Sequence, residues 1–199
     1  MATHDPITES RLQLGKPDHG RTTSVEEFAD AEFAEPWTYE RVDGSLVVMS
    51  PEGSGHVIQS IPWHQKLNVY SFERPDIVQA VVPQAWITIN SRNTRIADLG
   101  VYRGGKLEDL DIPNQTPDLV YEFVSPSKKD RRRDYVEKRL DYQKKGVREY
   151  VIVDRYDQKV TVLTLTAQGY AETVLTRNDR YRSPLLPGFE MVLAEVLPR

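Results

Sequence analysis

The chain has 199 residues, 39% of them hydrophobic, which is enough for one core and predicts a single domain. It contains no cysteine, so disulfides, zinc–thiolate sites and thiol nucleophiles are excluded. A formal net charge of −4 argues against indiscriminate binding to nucleic acid, and no apolar run is long enough to span a membrane. Because the N-terminus lacks a basic segment followed by an apolar one, we expect a cytoplasmic protein.

The first residues differ in character from the rest. Residues 1–23 are polar and predict a flexible N-terminal arm, so the single domain is expected over residues 24–199. Ser24 and Glu27 have the spacing of a capping box, which predicts a short helix running to about Phe33.

A hairpin and a longer helix are predicted next. Asp43-Gly44 is typical of a tight turn, which predicts a hairpin over residues 37–49. Residues 56–70 predict a helix, and Pro62 within this segment predicts a kink or a late helix start. Pro83-Gln84 then interrupts an apolar stretch and predicts either a bulge or two short strands.

The second half alternates between apolar strands and one charged helix. The helix is predicted to begin after Ser127 and to stop at Gly146. The tail around Phe189 is expected to pack over the core. Apolar runs predict strands over residues 95–102, 119–124, 149–153, 159–166 and 170–176.

Two carboxylates lie inside these apolar strands. Asp98 falls within residues 95–102 and Glu122 within residues 119–124. Such a carboxylate is costly unless a partner or a metal holds it. If the two strands are neighbours and their faces coincide, the carboxylates converge, and a divalent cation such as Mg²⁺ would relieve their repulsion. Alternatively, each carboxylate caps a backbone group or pairs with an arginine.

Strand alternation assigns these residues to faces of the sheet. Val120, Glu122 and Val124 are expected to share one face. In the preceding strand, alternation predicts one face formed by Ile96, Asp98 and Gly100, and the other by Ala97, Leu99 and Val101.

Lys138 is the cation that follows Glu122 on the charged helix. Asp134, Lys138 and Tyr142 are spaced four apart and form one helical stripe. In one interpretation the Lys138 ammonium points over the strand end, where it would orient a water or stabilise charge on a phosphate. The alternative is an exposed ion pair between Asp134 and Lys138. We assign Tyr142 and Tyr150 to packing.

The same helix gives the chain a local positive charge. Residues 128–148 contain ten Lys or Arg and four Asp or Glu, and this stretch includes Lys128, Arg131 and Arg132. Such a surface is able to meet phosphate groups. A solvated helix face with internal ion pairs is the alternative.

In their order and spacing, these pieces resemble the Uma-two (Uma2) family, which is placed in the restriction endonuclease-like PD-(D/E)XK superfamily. The resemblance covers about residues 24–195. The matching segments are Tyr39-Glu40-Arg41-Val42-Asp43-Gly44, Met49-Ser50-Pro51 with His56, Ile96-Ala97-Asp98-Leu99, Pro117-Asp118-Leu119-Val120-Tyr121-Glu122, Lys138 with Tyr142, Gly146-Val147-Arg148-Glu149-Tyr150, and Leu186-Pro187-Gly188-Phe189.

The resemblance implies an α/β (α+β) fold with a central mixed sheet flanked by helices, and a Mg²⁺-dependent endonuclease. Asp98 and Glu122 match the family's metal-binding acids, and Lys138 matches a lysine moved from the strand, where this chain has Val124, to the next helix. Glu40 matches an early glutamate of the family and would be an auxiliary ligand that holds a metal-bound water; the alternative is an exposed charge of the hairpin. His56 matches a family histidine and would contact a phosphate or the metal site; the alternative is a histidine at a helix start that satisfies a loop carbonyl.

The resulting hypothesis is an endonuclease that uses Mg²⁺, with Mn²⁺ as a possible substitute, to cut DNA, RNA not being excluded. In it, the backbone of DNA is bound by the stretch that contains Lys128, Arg131 and Arg132. By analogy, a homodimer is expected. The alternative is a non-catalytic nucleic-acid-binding or assembly protein that retains the nuclease fold.

Overall fold

The computed structural model describes residues 11–51 and 53–197, which group into two compact units. One unit comprises residues 11–51 and 91–94, and the other comprises the remaining described residues. The single domain expected over residues 24–199 stays a prediction. Residues 1–10 of the expected arm lie outside the described residues, whereas residues 11–23 carry a short strand and a 3-10 turn, with Leu14 buried.

The first unit contains the predicted hairpin. The Ser24 hydroxyl accepts a hydrogen bond from the Glu27 amide at 3.0 Å, which confirms the capping box, although the helix ends at Asp30. Asp43 and Gly44 have φ angles of 51° and 82°, as the tight turn requires. The elements are β1 (Gln13–Leu14), a 3-10 turn (Lys16–Asp18), α1 (Val25–Asp30), β2 (Glu32–Phe33), β3 (Thr38–Val42) and β4 (Ser45–Met49).

The second unit is built on a mixed sheet. Its helices are α2 (Ser54–Glu73), α3 (Lys128–Arg132), a π-helical segment (Arg133–Lys138), α4 (Arg139–Lys145) and α5 (Leu193–Val196), with a 3-10 turn at Leu107–Asp109. Its strands are β5 (Val78–Asn90), β6 (Asn93–Arg103), β7 (Leu119–Phe123), β8 (Glu149–Asp154), β9 (Lys159–Thr166), β10 (Gly169–Thr176), β11 (Arg180–Arg182) and β12 (Glu190–Val192).

The order β10-β9-β8-β7-β6, with β5 also paired to β6, confirms the predicted mixed sheet. Strands β7 and β8 are parallel, whereas β6–β7, β8–β9 and β9–β10 are antiparallel. None of the helices in the described part of the chain combines the length and apolarity that a membrane crossing requires.

Two apolar layers cover the two faces of this sheet. Residues that alternate along β7 separate cleanly between them, as strand geometry requires. One layer contains Leu119, Tyr121 and Phe123 together with Trp63 of α2 and the tail residues Leu186 and Phe189. The other contains Val120 and Val124 together with Ala85, Tyr142 and Tyr150. The predicted packing of the tail over the core is therefore confirmed.

The structure tests the expectations at Pro62 and at Pro83-Gln84. Helix α2 begins at Ser54 and continues through Pro62, so the late helix start is wrong. Strand β5 is one strand rather than two, and its extended backbone is interrupted at Gln84, where φ is 48°. The bulge was therefore the correct alternative at Pro83-Gln84.

Strands β5 and β6 approach each other closely at Gly100 of β6. A Cβ at this position would lie 2.8 Å from the Ala85 Cβ, which is shorter than carbon atoms tolerate. We expect Gly100→Ala to lower the free energy of unfolding by roughly 1–3 kcal/mol, the usual cost of overpacking. Urea denaturation measures it. Gly55→Ala in α2 is the control, because its nearest heavy atom would be 3.5 Å away. Equal stabilities would contradict this packing.

A buried carboxylate lies at the start of β8. Glu149 accepts hydrogen bonds from the Tyr181 hydroxyl at 2.5 Å and from the Ser183 hydroxyl at 3.1 Å. Tyr181 in turn shares a hydrogen bond with the Tyr121 hydroxyl at 2.9 Å. Burial raises the pKa of Glu149, and the hydrogen bonds from Tyr181 and Ser183 only partly oppose it.

A carboxyl whose pKa is raised on folding favours the native state when protonated, and this contribution is lost as pH rises through the folded-state pKa. We therefore expect Glu149→Gln to gain stability relative to the parent as pH rises from about 4.5 to about 8. Urea denaturation at several pH values measures the difference. A difference that is constant with pH would contradict a raised pKa at Glu149.

Candidate active site

Asp98 lies where the pairing between β6 and β7 ends. The last registered pairs are Leu99–Tyr121, Gly100–Val120 and Val101–Leu119. Just beyond them, the Phe123 amide donates a 2.7 Å hydrogen bond to Oδ2 of Asp98 instead of to a main-chain carbonyl. His56 Nε2 lies 2.8 Å from the same oxygen. The carboxylate is thus fixed by contacts with β7 and α2.

The predicted face assignment in β6 is confirmed for Leu99 and Val101, which share one layer, and wrong for Ala97. Leu99 belongs to the apolar layer that contains Trp63, but Ala97 belongs to the opposite layer. A Cβ on Gly100 would meet Ala85 in that opposite layer as well. Strict alternation would place residues 97 and 99 together, so the alternation breaks at Asp98.

Glu122 is buried beneath this point, with its side chain 2% exposed. Its Oε1 accepts hydrogen bonds from Lys138 Nζ at 2.9 Å and from the Tyr142 hydroxyl at 2.8 Å. Lys138 Nζ also donates to the Ile96 carbonyl at 2.7 Å. The lysine expected to compensate for Val124 therefore contacts both the carboxylate of β7 and the backbone of β6.

Lys138 is the last residue of the π-helical segment Arg133–Lys138. π-helical segments are rare in proteins, and those that occur often lie at functional sites. The helix is held to the sheet on both sides of Lys138: Tyr150 donates to the Asp134 carbonyl at 2.9 Å, and Arg95 pairs with Asp141 at 2.8 Å. Asp134 and Lys138 are both buried, so the exposed-pair alternative is wrong.

The two carboxylates differ in their electrostatics. Burial by itself raises the pKa of Asp98, but the hydrogen bond and charge of His56, the charge of Lys138 and the Phe123 amide outweigh it and hold that pKa below its usual value. Burial raises the pKa of Glu122 well above its usual value, and the charge of Asp98 adds to this effect. The charge of Lys138 lowers the pKa of Glu122, so Glu122 depends on the Lys138 ammonium to be ionised.

These residues fit a divalent cation that keeps water ligands. Within the described residues, no donor reaches Oδ1 of Asp98 or Oε2 of Glu122, so one oxygen of each carboxylate is available. No group of three or more His, Asp or Glu side chains in the described ranges is arranged to hold a metal. Mg²⁺ usually keeps several waters and needs only one or two carboxylates, so the pair suffices.

The remaining predicted residues differ in burial and in their partners. Glu40 is fully buried in β3 of the first unit, opposite Val47, and its role as an auxiliary ligand stays a prediction. Lys128 is exposed at the first turn of α3. Arg131 binds both Asp154 and Asp157 at 2.6 Å, and Arg132 contacts Glu137 at 3.4 Å.

Sequence reasoning missed several residues around this site. Tyr142 was assigned to packing, although its position four residues after Lys138 was a signal that both reach one carboxylate. A cavity of about 200 Å³ next to Asp98 was also missed; it is lined by His56, Ser60, His64, Pro83, Gln84 and Asp98. His56, Ser60 and His64 are spaced four apart, and this spacing was the available signal.

Comparisons with known proteins identify a family for this chain and a solved structure with a similar fold. The sequence model of the Uma2 family, described as "Putative restriction endonuclease", matches residues 25–195. A crystal structure from Anabaena variabilis, described as a putative nuclease belonging to DUF820, has a similar fold: the TM-score is 0.71 at 14% identity, over 88% of this chain and 97% of that one. A search among curated proteins found no match.

The pair formed by Lys138 and Glu122 is testable by a double-mutant cycle. Lys138→Met leaves the Glu122 carboxylate buried without its cation, and we expect it to lower the free energy of unfolding by about 3–5 kcal/mol. Glu122→Gln in the same chain should restore most of this loss. Lys144→Met, at an exposed lysine of α4, is the control. Glu122→Gln alone completes the cycle, and a double variant whose loss equals the sum of the losses of the two single variants would show that the two residues are not coupled.

Proposed function

Because the chain belongs to the Uma2 family, we propose that it is a metal-dependent endonuclease that hydrolyses phosphodiester bonds in DNA. The observation that carries the proposal is the buried pair of Lys138 and Glu122, together with Asp98 at the point where β6 and β7 separate, near enough for its charge to act on Glu122. Two carboxylates with available oxygens and one ammonium combine a cation site with a positive group for phosphate chemistry. The fold shared with the Anabaena variabilis protein supports the same activity.

In this proposal Asp98 and Glu122 hold Mg²⁺, or Mn²⁺ in its place. A bound cation would lower the pKa of a coordinated water and offset charge on the scissile phosphate. Lys138, fixed by Glu122 and by the Ile96 carbonyl, orients the attacking water or stabilises developing charge. His56 is a positioning residue, because its hydrogen bond to Oδ2 leaves Oδ1 of Asp98 turned to other partners.

Fewer residues are proposed to bind the nucleic-acid backbone than the positive charge of the helix indicated. Lys128 is exposed and has no carboxylate partner among the described residues, so we propose it as a phosphate contact. Arg132 is largely exposed and would exchange Glu137 for phosphate. Arg131 would have to leave two aspartates, which makes it the weakest of the three as a phosphate ligand.

The proposal predicts cleavage that depends on the metal and on three residues. We expect Mg²⁺ or Mn²⁺ to support cutting of labelled single-stranded and duplex DNA, and EDTA to abolish it. Asp98→Asn and Glu122→Gln should remove detectable cleavage, and Lys138→Met should slow it roughly 100-fold or more, the usual effect of losing one electrostatic stabiliser.

Glu149→Gln is the matched control, because it changes another buried carboxylate of the same sheet and should leave cleavage unchanged. Mg²⁺ titration by calorimetry on the parent and on Asp98→Asn accompanies the assay. Equal cleavage by the parent and all site variants would indicate a contaminant and end the assignment. Absence of both cleavage and Mg²⁺ binding would favour the non-catalytic binding or assembly protein.

The homodimer expected by analogy and the cytoplasmic location belong to the same proposal. Light scattering coupled to gel filtration measures the first. A second copy is not required by the contacts among Asp98, Glu122 and Lys138, since all three come from one chain.

A further inference from the structure

The cavity next to Asp98 limits what can reach that carboxylate. Its walls are one face of α2, with His56, Ser60 and His64, and the interruption of β5, with Pro83 and Gln84. A volume of about 200 Å³ equals that of roughly seven water molecules in the liquid. It is smaller than the roughly 300–1,000 Å³ of pockets for drug-sized ligands. The cavity thus has room for part of one nucleotide.

Gln84 has a backbone conformation that needs an explanation. It is exposed and has a φ of 48° within a strand, a region that residues other than glycine seldom adopt. Such strained residues cluster at ligand-binding sites. The conformation places Gln84 on the cavity wall, and its amide both donates and accepts hydrogen bonds, as the edge of an unpaired base requires.

The ring of Tyr156, which follows β8, lies near the start of α2: a Cβ on Gly55 would be 3.7 Å from its hydroxyl oxygen. Arg155 Nη1 donates to the Gly55 carbonyl at 3.0 Å, and the Arg155 guanidinium lies 5.7 Å from the centre of the Tyr156 ring. The Tyr156 side chain is exposed. Proteins that bind single strands stack bases on such rings, often with an arginine beside them.

The basic stretch does not provide the broad positive surface that duplex binding uses. Within residues 128–148, Lys138 is buried and five arginines form ion pairs with Asp or Glu: Arg131, Arg132, Arg133, Arg139 and Arg148. Proteins that bind duplex DNA through the backbone neutralise many phosphates at once. A small footprint with a cavity and an exposed ring is more typical of single-strand recognition.

We propose that this site takes a single polynucleotide strand, with one unpaired nucleotide in the cavity, Gln84 in contact with it and Tyr156 stacked on a neighbouring base. The inference rests on the proposed function and adds the strand state of the substrate and two contact residues. The inference distinguishes single strands from duplexes. Whether the strand is DNA or RNA is determined by comparing the two in the test.

The test is binding without cleavage. Fluorescence anisotropy in Ca²⁺, an ion that also takes oxygen ligands, compares single-stranded DNA, single-stranded RNA and duplex DNA of about 16 nucleotides. The variants are Gln84→Gly, which suits a φ of 48° and so keeps the backbone unstrained, and Tyr156→Leu. Gln168→Gly is the control, because Gln168 is exposed in the β9–β10 turn.

We expect the parent to bind a single strand at least ten times more tightly than the duplex. Gln84→Gly and Tyr156→Leu should each weaken single-strand binding about five-fold or more, and Gln168→Gly should not. Equal affinity for duplex and single strand, or equal binding by all variants, would overturn the inference. Single-strand preference without cleavage in Mg²⁺ would instead reject only the nuclease, and cleavage of duplex DNA as fast as single strands would reject only the strand assignment.

Discussion

The buried ion pair between Lys138 and Glu122 is the constraint on which the rest of the site depends. An ionised carboxylate at this depth, close to the charge of Asp98, is unfavourable without a cation at hydrogen-bond distance. The ammonium comes from a helix rather than from the strand. That helix must therefore be held to the sheet, which the Tyr150 hydroxyl and the Arg95–Asp141 pair accomplish. The π-helical segment ends at Lys138, the residue whose side chain contacts Glu122.

The orientation of the Asp98 carboxylate depends on a second feature, the early end of the pairing between β6 and β7. If the ladder continued with regular pairing, the Phe123 amide would find a main-chain carbonyl and the carboxylate would have no fixed orientation. Because the ladder stops, Oδ2 accepts from both Phe123 and His56, and the pKa of Asp98 stays low in spite of burial. The separation of the two strands thus supplies an ionised carboxylate, which lines the cavity beside α2 and β5.

Sequence reasoning reached the elements and the principal residues but not the local geometry. Continuous apolar runs and capping residues are local signals, so β7, β8, the Ser24 cap and the Gly146 stop were predictable. The break of alternation at Asp98 was not, because it arises from pairing between strands that are distant in sequence. The contact between His56 and Asp98 spans 42 residues and has no local signal. The extra residue of a π-helical turn likewise leaves no pattern in composition.

The local charge of the helix shows why composition is a weak guide to substrate. The excess of basic residues after Ser127 indicated a phosphate-binding face, yet most of its arginines are bound to carboxylates of β8, β10 and the helix itself. Their ion pairs help to attach the helix that carries Lys138, and the exposed cations that remain include Lys128, Lys129 and Lys144. In the proposed single-strand mode, the few groups around one cavity recognise the polynucleotide, and the paired arginines of this helix contribute little to that recognition.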